Sequence, residues 1–470
     1  MQLAEAAQIP DPAAGEAKIA AWLEREMGCT DVSVRRMRRW RPIFHAEVTQ
    51  NGKRQKLFLK GERSWPTHPY PLEYERDMQR VLDENGIRVP RILGWIDDPK
   101  TIVMEWAEGG REAGLMQEAI EGGTGMTADR WEASLKYMDR LAELHAIPVE
   151  RFAAAGAAMP GDNAELMLAN FERFHAMSER LGLADPFIRF VSGWLRRNIP
   201  QNRAGMAFLT GDCGQFLSEG PDIACLMDFE IGHIGDPMRD LACYRGRHPI
   251  EDMGDLPALF ARYSAATGKP IDREAMAYHT VSFLAEAYYG PYFGLHDTGP
   301  GGDWGEAYVQ TMVIGRRCFD ALAECADIEL DAVELPEPVA TPLEDLGLER
   351  LAIDIGRIPE HPHFQDWQRG ILVSIPRLLL RLGHYRRWLD SEYGADVAKL
   401  TGEVVQDAQS ADSALSAYID GADASSDADI VRVLHRKLLR QCLVIAGDDA
   451  ATARIALAAM DPVIQRPVEA

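Results

Sequence analysis

Apolar and polar positions follow two different rhythms along this chain, and the change between them divides it. In GEAKIAAWLEREM (15–27) the residues Ile19, Trp22 and Leu23 share one side of a short amphipathic helix. From about 31 to 108 the pattern shifts to strands and one helix. HAEVTQNGKRQKLFLK reads as a hairpin turning at Asn51-Gly52. PLEYERDMQRVLDENG reads as a helix with Pro71 in its first turn and Gly86 as its stop. RILGWIDDPKTIVMEW reads as two short strands around Asp98-Pro99. From 109 to 330 helical periodicity dominates, except for a hairpin near 216–227, where Phe216 to Ser218 and Ile223 to Met227 flank Glu219-Gly220-Pro221-Asp222. The second arm, IACLM, is wholly apolar and is expected to be buried.

GLHDTGPGGDWG (294–305) is a loop, and DAVELPEPVATPL (331–343), with three prolines, reads as a linker. Beyond it the pattern is helical to the end, interrupted by Pro376. The predicted organisation is an N-terminal helix (1–32), a strand-rich lobe (33–108), a helical lobe carrying the hairpin (109–330), a linker (331–343) and a helical C-terminal region (344–470). This is an α+β chain of two lobes with an added all-helical region, and the cleft between lobes is the expected place for chemistry.

Composition narrows the partners. The net charge of −23 disfavours nucleic acid, which is held by local positive charge. Seven scattered cysteines with no CxxC pair point to a reducing, cytoplasmic compartment, with neither disulfides nor a zinc site. The first residues lack the basic start and apolar run of a secretory signal, and no run of about 18 apolar residues would span a membrane.

Four charged residues stand out. Lys60 ends the strand Leu57–Lys60; alone it would be a solvated edge residue. In the next helix Glu75 falls within the apolar arc of Leu72, Met78 and Leu82, whereas Glu73 projects away. An inward carboxylate needs a partner, and Lys60 is the nearest upstream base; the bland alternative is a boundary acid reaching solvent. Asp212 and Asp228 bracket the hairpin in TGDCGQFLSEGPDIACLMDFE. Each alone could be an Asx-turn or a helix cap. Together, at the joined ends of a hairpin, they can face one cavity, one holding a divalent cation and the other accepting a proton from a hydroxyl.

Lys60, Glu75, Met104-Glu105-Trp106, Leu144-His145, Gly211-Asp212, Asp228-Phe229-Glu230 and Gly235-Asp236-Pro237 occur in the order of the aminoglycoside phosphotransferase family, and over residues 15–325 the chain resembles it. LAELHAIP and DFEIGHIGDPMRDLA are similar to the branch related to the kinase-like domains of certain acyl-CoA dehydrogenases. The resemblance implies a protein-kinase-like fold, ATP and Mg2+. It implies Lys60 on the nucleotide phosphates, Glu75 holding that lysine, and Glu105 with its neighbours as the hinge that meets adenine. Asp212 would be the catalytic base and Asp228 the principal metal ligand, with Asp236 and Asp240 as scaffold.

Three departures matter. Thr210 stands where the family has histidine. The catalytic loop is shorter, and Gln215 stands where an asparagine would bind the second metal. The phosphate-covering turn near 37–43, MRRWRPI, has no glycine. Arg35, Arg36, Arg38, Arg39 and Arg41 form the most basic patch of the chain; Arg39 and Arg41 could replace backbone contacts to the nucleotide, meet a phosphorylated substrate, or simply solvate a strand edge.

Weaker candidates are His361 and His363, read as a solvated loop, and His145, read as a core histidine. His233 is read as cleft-facing or packed. Tyr288, Tyr289, Tyr292, Phe293 and Trp304 are read as an acceptor wall or ordinary core. The expected function is an ATP- and Mg-dependent phosphotransferase acting on a hydroxyl of a small molecule, with a hydroxyacyl-CoA or another hydroxylated metabolite as candidate acceptor. The alternative is a kinase-like binding or scaffold protein, and a homodimer through the C-terminal helices is a candidate assembly.

Overall fold

In the computed structural model, which describes residues 12–37, 41–63, 68–110, 126–201, 203, 205–296, 303–357, 364–447 and 450–464, helix α1 (Pro12–Met27) lies on a five-stranded antiparallel sheet. Its strands are β1 (Thr30–Arg36), β2 (Ile43–Gln50), β3 (Lys53–Gly61), β4 (Ile92–Asp97) and β5 (Lys100–Glu105), in the order β1-β2-β3-β5-β4. Ile19 and Leu23 of α1 pack on Phe44, Val48, Leu57 and Ile96, so the helix is held by the sheet's own core. The β2–β3 turn has φ of 50° at Asn51 and 73° at Gly52. A two-residue hairpin with positive φ at both central positions matches the strand twist, which is why Asn-Gly suits this turn.

Helix α2 (Leu72–Glu84) follows, with Pro71 at its N-cap rather than inside its first turn. Leu72, Glu75, Met78, Val81 and Leu82 are its inward residues.

The helical lobe consists of α3 (Ala128–His145), α4 (Val149–Ala154), α5 (Asn163–Arg180), α6 (Pro186–Arg197), α7 (Met238–Arg247), α8 (Leu256–Thr267), α9 (Arg273–His296) and α10 (Trp304–Ala326). Asp162, Asp185, Asp255 and Asp303 cap α5, α6, α8 and α10 through backbone N–H groups, each cap contributing about 1 kcal/mol. Between α6 and α7 run four short strands. β6 (Ala207–Leu209) pairs with β9 (His233–Gly235), and β7 (Phe216–Glu219) pairs with β8 (Asp222–Leu226). Only Cys225 and Leu226 of β8 are buried, so the burial expected of the whole arm is confined to its end. A two-stranded ribbon has no third strand to cover its outer half.

Residues 331–341 have no regular structure, and Val339 N–H donates to His384 O at 3.1 Å. The remaining helices are α11 (Pro342–Gly356), α12 (Phe364–Thr401), α13 (Ala408–Gly421), α14 (Asp427–Ala446) and α15 (Ala450–Ala456). Pro376 lies inside α12 and does not interrupt it. Tyr393, Val397, Leu415, Ile430 and Leu434 join Phe187, Tyr288 and Phe319 in one apolar cluster, so these helices extend the core of the helical lobe. Arg189–Asp420 at 2.9 Å and Arg197–Asp427 at 2.7 Å tie the rim.

The tyrosines 288, 289 and 292 and Phe293 are buried; Tyr288 donates to Asp185 and Tyr289 meets His175, so they are core. His361 and His363, residues 297–302 of the loop, and Arg38, Arg39 and Trp40 lie outside the described residues. Among the described residues no helix is long and apolar enough to cross a membrane.

Candidate active site

β3 carries Lys60 to the junction of the lobes, and the helical period of α2 brings Glu75 beneath it. Lys60 Nζ donates to Glu75 Oε1 and, at 2.6 Å, to Asp228 Oδ1. Lys60 and Glu75 side chains are only 10% and 3% exposed. At such depth an unpaired charge would be costly, so the two are a mutual requirement. Glu73 points outward and pairs with Lys100 at 3.0 Å.

Asp228 lies two residues past the end of β8. Its φ of 69° is unusual for a residue with a Cβ, and it turns the chain sharply beneath Lys60.

Asp212 lies in the loop after β6, which Asp240 shapes: the Asp240 carboxylate accepts from Thr210 N at 2.8 Å and Gly211 N at 3.2 Å. Asp240 also meets His145 Nε2 at 3.1 Å, while His145 Nδ1 meets the Tyr263 hydroxyl at 2.7 Å. His145 is therefore a satisfied core histidine. Burial pushes the Asp240 carboxyl up, but His145, the Thr210 N–H and Arg239 outweigh it and hold it below the usual range. Gly211 has φ of 80°, and a Cβ there would sit 2.4 Å from Ile231 O, so only glycine lets the loop pass. Asp236 is bound by Arg203 and by Met238 N–H, again as scaffold.

Gln215 donates its side-chain N–H to Asp212 Oδ2 at 2.6 Å, and its backbone oxygen accepts from Met227 N at 3.1 Å. The loop is thus stitched to the residue before Asp228. Asp212 Oδ1 accepts from Arg247 Nη1, and Arg247 Nη2 donates to Glu251 at 2.7 Å.

A cavity of about 650 Å³ opens at this junction, lined by Lys60, Glu75, Asp228, Met104, Trp106 and Phe58 among others. Arg35, Arg36 and Arg41 also line it. Arg41 is buried, donating to Gly61 O at 3.1 Å, to Glu75 Oε2 at 3.3 Å and to Glu230. Glu105 lines it too, and Arg88 and the Arg91 N–H hold its carboxylate. His233 is buried, its Nδ1 3.0 Å from Ile231 O, and burial lowers its pKa to about 4.

The sequence pattern singles out Glu230 only within Asp228-Phe229-Glu230, with no role, and gives no sign of Arg63 or Arg247. Glu230 binds the arginines of the cavity, Arg63 binds Glu230, and Arg247 binds Asp212.

Among the described residues no group of three or more His, Cys, Asp or Glu converges on a metal site. Asp228, a carboxylate lining the cavity, fits a hard cation that takes one or two protein oxygens and completes its shell with phosphates and water. Asp212 and Gln215, expected to face the same cavity, are not among the residues that line it and are bonded to each other instead.

Residues 48–279 match the model of the phosphotransferase enzyme family, APH. Residues 48–279 of the chain belong to that family. No curated protein sequence matches the chain. Among solved structures, the fold is similar to a putative aminoglycoside phosphotransferase from Ralstonia eutropha JMP134, at 18% identity and TM-score 0.47 over 64% of this chain and 94% of that one. It is similar to macrolide 2'-phosphotransferase from Brachybacterium faecium, at 16% identity and TM-score 0.44 over 62% and 97%. It is also similar to Plasmodium vivax ethanolamine kinase, at 11% identity and TM-score 0.46 over 63% and 86%. The family assignment rests on the family match, not on these structures.

Proposed function

We propose that the chain transfers a phosphoryl group from ATP to a hydroxyl of a small molecule. The observation that carries this reading is the buried Lys60–Glu75 pair bonded onward to Asp228 inside the interlobe cavity. A lysine fixed between two carboxylates is a placed point charge, and phosphoryl transfer depends mainly on placing charges. In this reading Lys60 and Arg41 steady the donor phosphates, with Arg39 as a further candidate in the same turn. The backbone at Glu105 meets the base. Asp212, positioned by the Asp240-shaped loop, accepts the proton of the attacking hydroxyl. Asp228 and Gln215 would hold Mg2+, which when bound neutralises charge on the phosphates. A hydroxyacyl-CoA or another hydroxylated metabolite is the proposed acceptor class.

The test is ATP consumption against a panel of hydroxylated metabolites with wild type and Asp212→Asn. Turnover should fall by about 10²–10⁴-fold in the variant while Mg-ATP affinity stays within about twofold. Unchanged turnover removes Asp212 from the role.

One observation favours a second reading, a kinase-like binding or scaffold protein: both Asp212 oxygens already accept from protein donors, Arg247 and Gln215. That reading expects a thermal shift with Mg-ATP and no turnover with any acceptor. For assembly we propose a homodimer through α11, whose Leu343, Leu346 and Ile353 are exposed; light scattering of wild type against Leu346→Glu tests it.

A further inference from the structure

Glu230 lies two residues past Asp228 and lines the same cavity, with its side chain 16% exposed. Two guanidinium groups hold its two oxygens: Arg41 Nη1 binds Oε2 and Arg63 Nη2 binds Oε1. Lys60 Nζ lies 4.0 Å from Oε2. Arg41 precedes β2 and Arg63 follows β3, whose end carries Lys60. The Gly61 carbonyl fixes Arg41 through its Nε at 3.1 Å.

Two planar guanidinium forks and an ammonium around one anion is the chemistry that binds phosphate. Here a carboxylate of the chain itself fills it. Charge counting sharpens the point. Arg41, Lys60 and Arg63 are matched by Glu75, Asp228 and Glu230, three cations against three acids. Arg35 and Arg36 also line the cavity and lie outside this count; on the three counted cations a polyphosphate finds no surplus positive charge unless an acid yields its partners. Glu75 is locked beneath Lys60, and Asp228 is the proposed cation ligand. Glu230 is the acid held chiefly by two arginines, with Lys60 only at 4.0 Å.

We propose that Arg41 and Arg63 form a phosphate seat which Glu230 fills in the resting protein, and that an incoming polyphosphate binds by exchanging with the Glu230 carboxylate. The inference rests on the nucleotide-site reading above and adds to it the residues that receive the phosphates and the device that guards them. Only ion pairs and hydrogen bonds change hands. The seat also accounts for the glycine-free turn at 37–43. Side-chain forks approach phosphate from a distance, so the backbone need not come close.

The probe is inorganic pyrophosphate, titrated calorimetrically into the full chain in EDTA, with no nucleotide. Wild type should bind it weakly. Glu230→Gln, which removes the carboxylate charge from between the two arginines while keeping the side chain's shape, should bind it at least ~10-fold more tightly. Adding Arg63→Met or Arg41→Met to that variant should abolish the gain. Affinity in Glu230→Gln equal to or below wild type overturns the exchange. A gain that survives loss of both arginines overturns the seat. Should Glu230→Gln not fold, arginine modification mapped by mass spectrometry on wild type decides. Saturating pyrophosphate should slow labelling of Arg41 and Arg63 and leave Arg88, which binds Glu105, unaffected. Equal labelling of Arg41 and Arg63 with and without the anion overturns the proposal. These readouts use neither ATP nor turnover, so the exchange can fail while the kinase reading stands, and the reverse.

Discussion

Replacing Lys60 by Met removes the cation that joins the two lobes' acids. Glu75, 3% exposed, would keep only Arg41 at 3.3 Å. Removing one partner of a buried pair costs about 3–5 kcal/mol; the surviving Arg41 contact places this variant near the lower end, about 3 kcal/mol. Glu75→Gln leaves Lys60 bonded to Asp228 at 2.6 Å, so its cost is smaller, about 2 kcal/mol. The double variant loses the pair but strands neither charge. The singles should therefore not add, and a coupling energy of about 2 kcal/mol is expected for residues in direct contact. Equilibrium urea unfolding of wild type, both singles and the double yields the four free energies of the cycle. Additivity within about 0.5 kcal/mol would show that the pair is not a mutual requirement. The argument that the sequence places Glu75 inward for Lys60 would then fail.

Other outcomes follow from the scaffold. Gly211→Ala must push a Cβ toward Ile231 O, 2.4 Å away, at φ of 80°; we expect a loss of roughly 1–3 kcal/mol and a fall in kcat larger than any change in KM for ATP, and wild-type-like kcat would refute the strain. His233 and His279 are buried and neutral, burial lowering each from 6.5 to about 4, with Arg239 and Asp240 near the first and Asp236, Arg239 and Arg203 near the second. Because their folded values are depressed, their contribution to stability is whole above pH 6.5 and is lost as pH falls toward 4, when the unfolded chain takes up protons first. Between pH 7 and 5 each should cost about 2 kcal/mol, read as a falling urea midpoint that flattens in His279→Phe; an unchanged slope in that variant would contradict the assignment. Asp240→Asn replaces an acceptor of two backbone N–H groups and a histidine by a group with one acceptor oxygen, and should cost roughly 2–4 kcal/mol while lowering kcat through the displaced Asp212 loop; a stable variant with full turnover would remove Asp240 from that role.

Much of the pocket was legible because it follows from local periodicity. The position of Glu75 in the arc of Leu72, Met78 and Leu82 marks it as inward, and its distinction from Glu73 holds in the structure, where Glu73 reaches Lys100 instead. Asn51-Gly52 announced its hairpin through the φ values it permits. Arg63, and its pairing with the Glu230 of the Asp228-Phe229-Glu230 motif, were not legible, because no period governs a residue past the end of a strand and the pair joins positions 167 apart. Arg247 ends a helix and reaches Asp212 across 35 positions through the packing of α7 on the β6 loop, a tertiary fact without a sequence signature. The apolar run of β8 misled for a related reason. Composition shows that a strand can be buried, and only the number of its neighbours decides how much of it is.

If the junction around Lys60, Glu75 and Asp228 is a nucleotide site, calorimetric titration of the full chain with Mg-AMP-PNP should show saturable binding at one site per chain, weakened at least ~10-fold by Lys60→Met. No saturation into the millimolar range, or equal affinity in Lys60→Met, would contradict it.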